Sequence, residues 1–163
     1  MKRRTFGWFF AACAGVLLAG CGNSGQQQTI ATAMPADQTF KVQGDYEVHF
    51  NAVRTDNLPP EVARAYGIQR ITNRVMLNVT ILKQEAAHAP RKPVEGSVQV
   101  DAYNLNGQLK NLEMRRVSEG EAIYYIGEVS ISGNEILVFD ITVTPSGETT
   151  PIEVKFKREF YSN

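Results

Sequence analysis

The sequence predicts an all-β protein: a single antiparallel β-sandwich of immunoglobulin-like type, with about seven strands. Three observations predict it. Apolar and polar residues alternate with period 2 from Thr39 onward. Turn residues punctuate that alternation about every dozen positions, as in sandwiches. Only one internal stretch breaks the alternation with a helical signal. A closed barrel is the competing architecture. The sole Trp is Trp8, at the far N-terminus, so the Cys–Trp–Cys core of antibody domains is absent. The likeness is therefore one of architecture alone.

The N-terminus comes first. Met1–Arg4 is short and basic, and Phe6–Ala19 is apolar but shorter than the roughly 20 residues a spanning helix needs. Leu18-Ala-Gly-Cys21 follows, which resembles the bacterial lipobox. That resemblance implies cleavage before Cys21 and lipidation of its sulfur. Residues 1–20 are thus expected to be a lipoprotein signal peptide. Each buried CH₂ contributes about 0.8 kcal/mol, so two or more acyl chains hold a protein at a bilayer without a spanning helix. Gly22, where retained lipoproteins carry Asp, resembles sorting to the outer membrane of a Gram-negative envelope, facing the periplasm. Cys13 leaves with the signal and Cys21 is consumed by lipid, so the mature domain has no free thiol. Residues 21–38 then form the lipidated Cys and a polar, flexible tether, spanning roughly 20–25 Å root-mean-square.

Residues 39–163 form the domain. Its first clear strand is Tyr46–Ala52, where Tyr46, Val48, Phe50 and Ala52 alternate with Glu47, His49 and Asn51. Val75, Leu77, Val79 and Ile81 share the face of a second strand, and Val94, Val98, Val100 and Ala102 that of a third. Asn106-Gly107 is a hairpin signal, and Leu109–Val117 is a weaker run. Ala122–Ile131 and Glu135–Val143 are apolar on both faces, as expected of strands central in a sheet or covered by other parts. Ile152, Val154, Phe156 and Phe160 alternate with Glu153, Lys155, Lys157 and Glu159 in the last strand.

The interruption is Arg54–Arg74, between the first two strands. Pro59-Pro60-Glu61 starts a short helix, with Pro setting φ and a carboxylate at the positive end of the helix. Val62, Ala63, Ala65 and Tyr66 would face inward, and Gly67 sits where a C′ glycine belongs. A connection this long is often functional. With the strand before it, this insertion offers His49, Asn51, Arg54, Tyr66, Arg70, Asn73 and Arg74 as candidate partner-binding residues. Arg54, Arg64, Arg70 and Arg74 could make an anion-binding patch. Asp56 and Glu61 lie among them, so local pairing competes with that reading.

The chemistry-bearing motifs are few. The sequence holds no phosphate loop, nucleophile elbow, zincin motif or EF-hand. His88 lies in an Ala-rich loop and is expected to be solvated. Formal net charge is zero, and without Lys2, Arg3 and Arg4 it becomes −3, from 14 basic and 17 acidic residues. Nothing in that balance points to nucleic acid. No catalytic residue, metal site or cofactor is implied.

The block Asp45–Leu82, with Gly120–Val129, resembles a family of uncharacterised bacterial exported proteins known only as a domain of unknown function. The VHFNA strand, the PEVARAYGI helix, the arginine-bearing segment Arg70–Arg74 and the AIYY strand carry the resemblance. It implies an exported all-β domain and supplies no catalytic residues. The expected function is thus a lipid-anchored binding module, with the membrane as one partner and an unidentified envelope protein or component as the other. Two alternatives stand beside it. One is a hydrolase or metal-dependent enzyme using His49 with Glu47 or Asp140; the other is a purely structural lipoprotein.

Overall fold

The computed structural model describes residues 38–161. The signal segment, Cys21 and nearly all of the tether lie outside the described residues. Ten strands and one short helix follow in order: β1 (Phe40–Gln43), β2 (Tyr46–Arg54), α1 (Pro60–Ala65), β3 (Arg74–Lys83) and β4 (Lys92–Pro93). Then come β5 (Gly96–Asn104), β6 (Leu109–Lys110), β7 (Arg115–Glu119), β8 (Ala122–Ser130), β9 (Glu135–Pro145) and β10 (Ile152–Phe160).

All pairings are antiparallel. One sheet runs β1-β2-β3-β8-β7, with β4 also on β3; the other runs β10-β9-β5-β6. The expected sandwich forms because the apolar phase of each strand meets that of the facing sheet. Val48, Phe50, Val75, Leu77, Val79 and Ile81 from the first sheet pack on Leu137, Phe139, Ile141, Val154 and Phe156 from the second. Phe156 bridges the layers, its ring 4.8 Å from Phe50 and 4.9 Å from Phe139.

Three details differ from the sequence reading. The helix lies between β2 and β3, because the four-residue edge strand β1 precedes the first strand the alternation revealed. Lys92–Pro93 adds a two-residue pairing to the end of β3. The weak run Leu109–Val117 divides into β6 and β7, in opposite sheets, and its middle passes from one sheet to the other, packing on the core. Leu112 and Met114 pack there against Gly127 of β8, where an added Cβ would stand 2.8 and 2.6 Å from their side-chain ends.

The doubly apolar character of β8 also has a physical reason. Its inner face joins the main core, while Ile126 and Tyr124 on its outer face lie beneath the insertion. Leu58, Ala63 and Ile68 from the insertion pack on Met76 and Ile126 as a second small core. Pro60 starts α1, and Gly67 ends it in the left-handed region at φ 65°. The Ile68 N–H reaches Ala63 O at 2.8 Å and the Gly67 N–H reaches Arg64 O at 3.2 Å, which is a Schellman closure. It turns Ile68 onto the sheet. Ala63 is buried as expected, whereas Ala65 is exposed, since six helical residues bury only a narrow stripe.

Thr55 pins the insertion at its root. Its fully buried hydroxyl donates to Ile71 O and accepts from the Ile71 N–H, both at 3.0 Å. Thr55→Val keeps the shape and leaves both backbone groups without that partner. It is expected to cost about 1–3 kcal/mol, measured by urea denaturation, with the loss appearing first in amide-exchange protection at Ile71.

Candidate functional site

The candidate residues fall into three places, because alternation and the insertion separate them. On β2, Val48 and Phe50 are buried, so His49 and Asn51 face outward. The His49 Nε2 lies 2.5 Å from Glu47 Oε1, and Glu47 also pairs with Arg91 at 3.0 Å. Phe40 of β1 covers the imidazole, with ring centroids 5.7 Å apart. His49 is thus held locally, by its neighbour two residues back on the same face.

The partner proposed for His49 in the enzymatic alternative is elsewhere. Phe139 and Ile141 are buried, so Asp140 projects from the outer face of the second sheet. There its Oδ2 accepts from Tyr103 at 2.8 Å and pairs with Lys155 at 2.9 Å. Stacked sheets stand about 10 Å apart, and the whole core lies between the two groups. The His49–Asp140 pairing does not form, because strand phase sends each side chain away from the other. His88 is exposed in the loop after β3.

The second place is the far side of the insertion. Tyr66 sits at the end of α1 and donates its hydroxyl to Glu119 Oε2 of β7 at 2.7 Å. Its carbonyl accepts from Arg115, so β7 holds the helix at two points. The hydrogen bond to the Glu119 carboxylate, burial and the carboxylate charge push the phenol up to about 12 from 10.0. The neutral phenol is favoured in the folded state. Its stabilising contribution is complete below pH 10 and is lost as pH rises toward 12. A tyrosinate absorbance titration should show Tyr66 among the late phenols, with Tyr161, which its hydrogen bond to Glu159 also raises, and Glu119→Gln should move Tyr66 alone back toward the usual value. Arg74 faces Glu128 at 3.5 Å, and the Asn73 carbonyl accepts from the Ile131 N–H at 2.9 Å.

The third place is the flank where the edges of β2 and β10 face each other, and here several candidates meet. Arg54 grips both oxygens of Asp56, with Nε at 3.0 Å and Nη2 at 2.8 Å, and its Nη1 donates to Tyr161 O. Arg70 donates to the Asp56 carbonyl at 2.6 Å. Asn51 accepts from Arg158 at 2.5 Å, and the same Arg158 nitrogen donates to Ala52 O at 2.6 Å. Higher on the flank, Lys41 donates to Glu153 O at 2.5 Å and Gln43 to Pro151 O at 3.4 Å. Long side chains from each edge thus cap backbone groups of the other. Below β1, which pairs only as far as His49, the flank opens into a cleft of about 410 Å³. Ala52, Val53, Arg54, Asn57, Arg158 and Tyr161 are among its lining residues.

The structure therefore ties Asn51, through Arg158, and Arg70, through Asp56, to the flank where Arg54 lines the cleft, and holds His49, Tyr66, Asn73 and Arg74 apart from it. Sequence reasoning missed Arg158. The signal was present: residue 158 falls in the apolar phase of β10, between Phe156 and Phe160, and breaks an otherwise regular alternation.

Fold and site together define an immunoglobulin-like β-sandwich whose one helical insertion is strapped over an outer face and whose open flank is lined with arginine. The DUF4426 family, a domain of unknown function, matches residues 40–163, and the chain belongs to it. A DUF4426 family protein from Pseudomonas aeruginosa PAO1, known as a crystal structure, is 35% identical. That match covers 76% of this chain and 94% of the other, with a TM-score of 0.64. FetP from uropathogenic Escherichia coli strain F11 shares the fold at 10% identity and a TM-score of 0.54, covering 76% of this chain and 93% of FetP. A copper-bound FetP variant gives 12% and 0.55, covering 79% and 97%. No curated protein matches the sequence.

Proposed function

We propose that this DUF4426 chain is a lipid-anchored envelope protein, held through Cys21 in the outer membrane and facing the periplasm, and that its sandwich is a non-catalytic binding module. The reading rests on the convergence of Asn51, Arg54 and Arg70 around one open flank, beside Arg158. Guanidinium groups at a concave rim are suited to polar, anionic partner groups. His49, Tyr66, Asn73 and Arg74 contribute to the wider surface on either side.

Two measurements test it. Cys21→Ser should move the protein from the membrane fraction to the soluble periplasm, because the acyl chains supply the hold. A photo-reactive side chain at Asn57, on the cleft rim, should then capture one discrete partner in intact cells. The same group at Gln99, exposed on the second sheet, should not. Equal labelling from both positions, or none from Asn57, would remove the binding-module reading.

A further inference from the structure

We infer that the cleft between β2 and β10 is a carboxylate-binding site, with the Arg158 guanidinium as its fork. The inference deepens the binding-module reading and rests on it.

Arg158 breaks the apolar phase of its strand. Its neighbours in phase, Ile152, Val154, Phe156 and Phe160, are all buried, so the side chain leaves the strand on the core side, and its guanidinium ends at the rim beside the outward-facing Asn51. The side chain is half-buried at the cleft rim, so water compensates its charge only in part. Yet the two acceptors of Arg158, Asn51 Oδ1 and Ala52 O, are neutral, and both use Nη1. Among the described residues, no carboxylate stands within ion-pair distance of Arg158. Glu159 also lines the cleft, but strand alternation sends its side chain to the opposite face.

Arg54, on the facing wall, is different. All three of its outer nitrogens are engaged, two of them by the Asp56 carboxylate, so its charge is already compensated. The cleft therefore presents one neutralised guanidinium as a wall and one uncompensated guanidinium with its Nε and Nη2 free of acceptors among the described residues. Two parallel N–H groups on a planar cation match the two oxygens of a carboxylate. Asn51 and Ala52 hold the third nitrogen, which fixes the fork in place.

The carboxylate could belong to a small organic acid or to the C-terminus of an extended peptide. β1 does not pair with β2 at Ala52–Arg54, but the Ala52 carbonyl is already held by Arg158, so a peptide would be recognised through its carboxylate rather than through strand pairing. An inward charge on an edge strand can also serve only to discourage edge-to-edge pairing, and the test separates the two roles.

The full chain in detergent is titrated against fluorescein-labelled Thr-Val-Thr-Val with a free carboxylate and against its C-terminal amide, read by anisotropy. The free acid should bind about tenfold or more tightly than the amide. Arg158→Gln should bring the acid down to the amide's affinity. Arg158→Lys keeps the charge without the fork and should lose about tenfold; it also carries the test if the glutamine variant fails to fold, judged by circular dichroism. Acetate displacing the peptide at a concentration equal to the peptide's own would assign the site to small acids, while acetate weaker by orders of magnitude would assign it to peptide C-termini. Equal affinity for acid and amide, no binding of the acid at millimolar concentration, or full binding by a folded Arg158→Gln chain would overturn the inference. Capture from Asn57 surviving in the Arg158→Gln chain would leave the binding module standing while this site falls.

Discussion

Phe156→Ala is expected to lower the stability of the domain by about 3–5 kcal/mol, read as a fall in the urea midpoint at unchanged slope. The ring lies between Phe50 of one sheet and Phe139 of the other, at 4.8 and 4.9 Å, and is almost wholly buried. Its removal deletes transfer free energy and leaves a void between Phe50 of the facing sheet and Phe139, its own ladder partner. Those walls cannot close the void, because the backbone ladders on both sides fix their spacing. For a domain whose whole margin is about 5–15 kcal/mol, the loss is a large share. A cost below about 1 kcal/mol would mean that the two layers do not depend on this contact.

Gly96→Ala should be nearly as severe, although it adds only a methyl group. A Cβ at Gly96 would stand 2.6 Å from the Thr144 carbonyl oxygen and 3.0 Å from Pro145 Cα, both backbone atoms of the paired strand β9. The Tyr125 hydroxyl meets Gly96 from the other sheet as well, donating to its carbonyl at 2.8 Å and accepting from its N–H at 2.9 Å. Relief requires β5 to move off β9, which also disturbs that bridge. The expected cost is about 2–3 kcal/mol. Gly127→Ala is the useful comparison. The atoms nearest its added Cβ are the flexible ends of Met114 and Leu112, with the Glu113 carbonyl oxygen at 3.1 Å. It should cost less, and the opposite ranking would contradict the packing described for both strands.

Much of the fold is legible because a strand with one buried face advertises itself every second residue. β2, β3, β5 and β10 were readable in this way, and α1 was readable from Pro60 at its start and Gly67 past its end. β1 and β4 are too short to show a period. The run Leu109–Val117 misleads because Leu112 and Met114 are half-buried against the core on a crossing between sheets, and so mimic one continuous strand. The candidate site was legible only in part. Arg54 and Asp56 are neighbours in sequence, so their pairing could be anticipated. The ties of Tyr66 to Glu119, Arg74 to Glu128 and Asn51 to Arg158 join residues 53, 54 and 107 positions apart. No local pattern encodes such separations. Asp140, the one acid in an apolar stretch of β9, invites a catalytic reading from sequence; its company is Tyr103 and Lys155 on an outer face.

The lacing of the β2–β10 flank has a consequence for crowding. A bare strand border invites an identical neighbour to extend the ladder, copy upon copy. Here Lys41, Gln43, Arg54 and Arg158 have already claimed several of the oxygens such a neighbour would seek. A second copy approaching rim to rim would find those docking points taken, so high local density need not end in fibres.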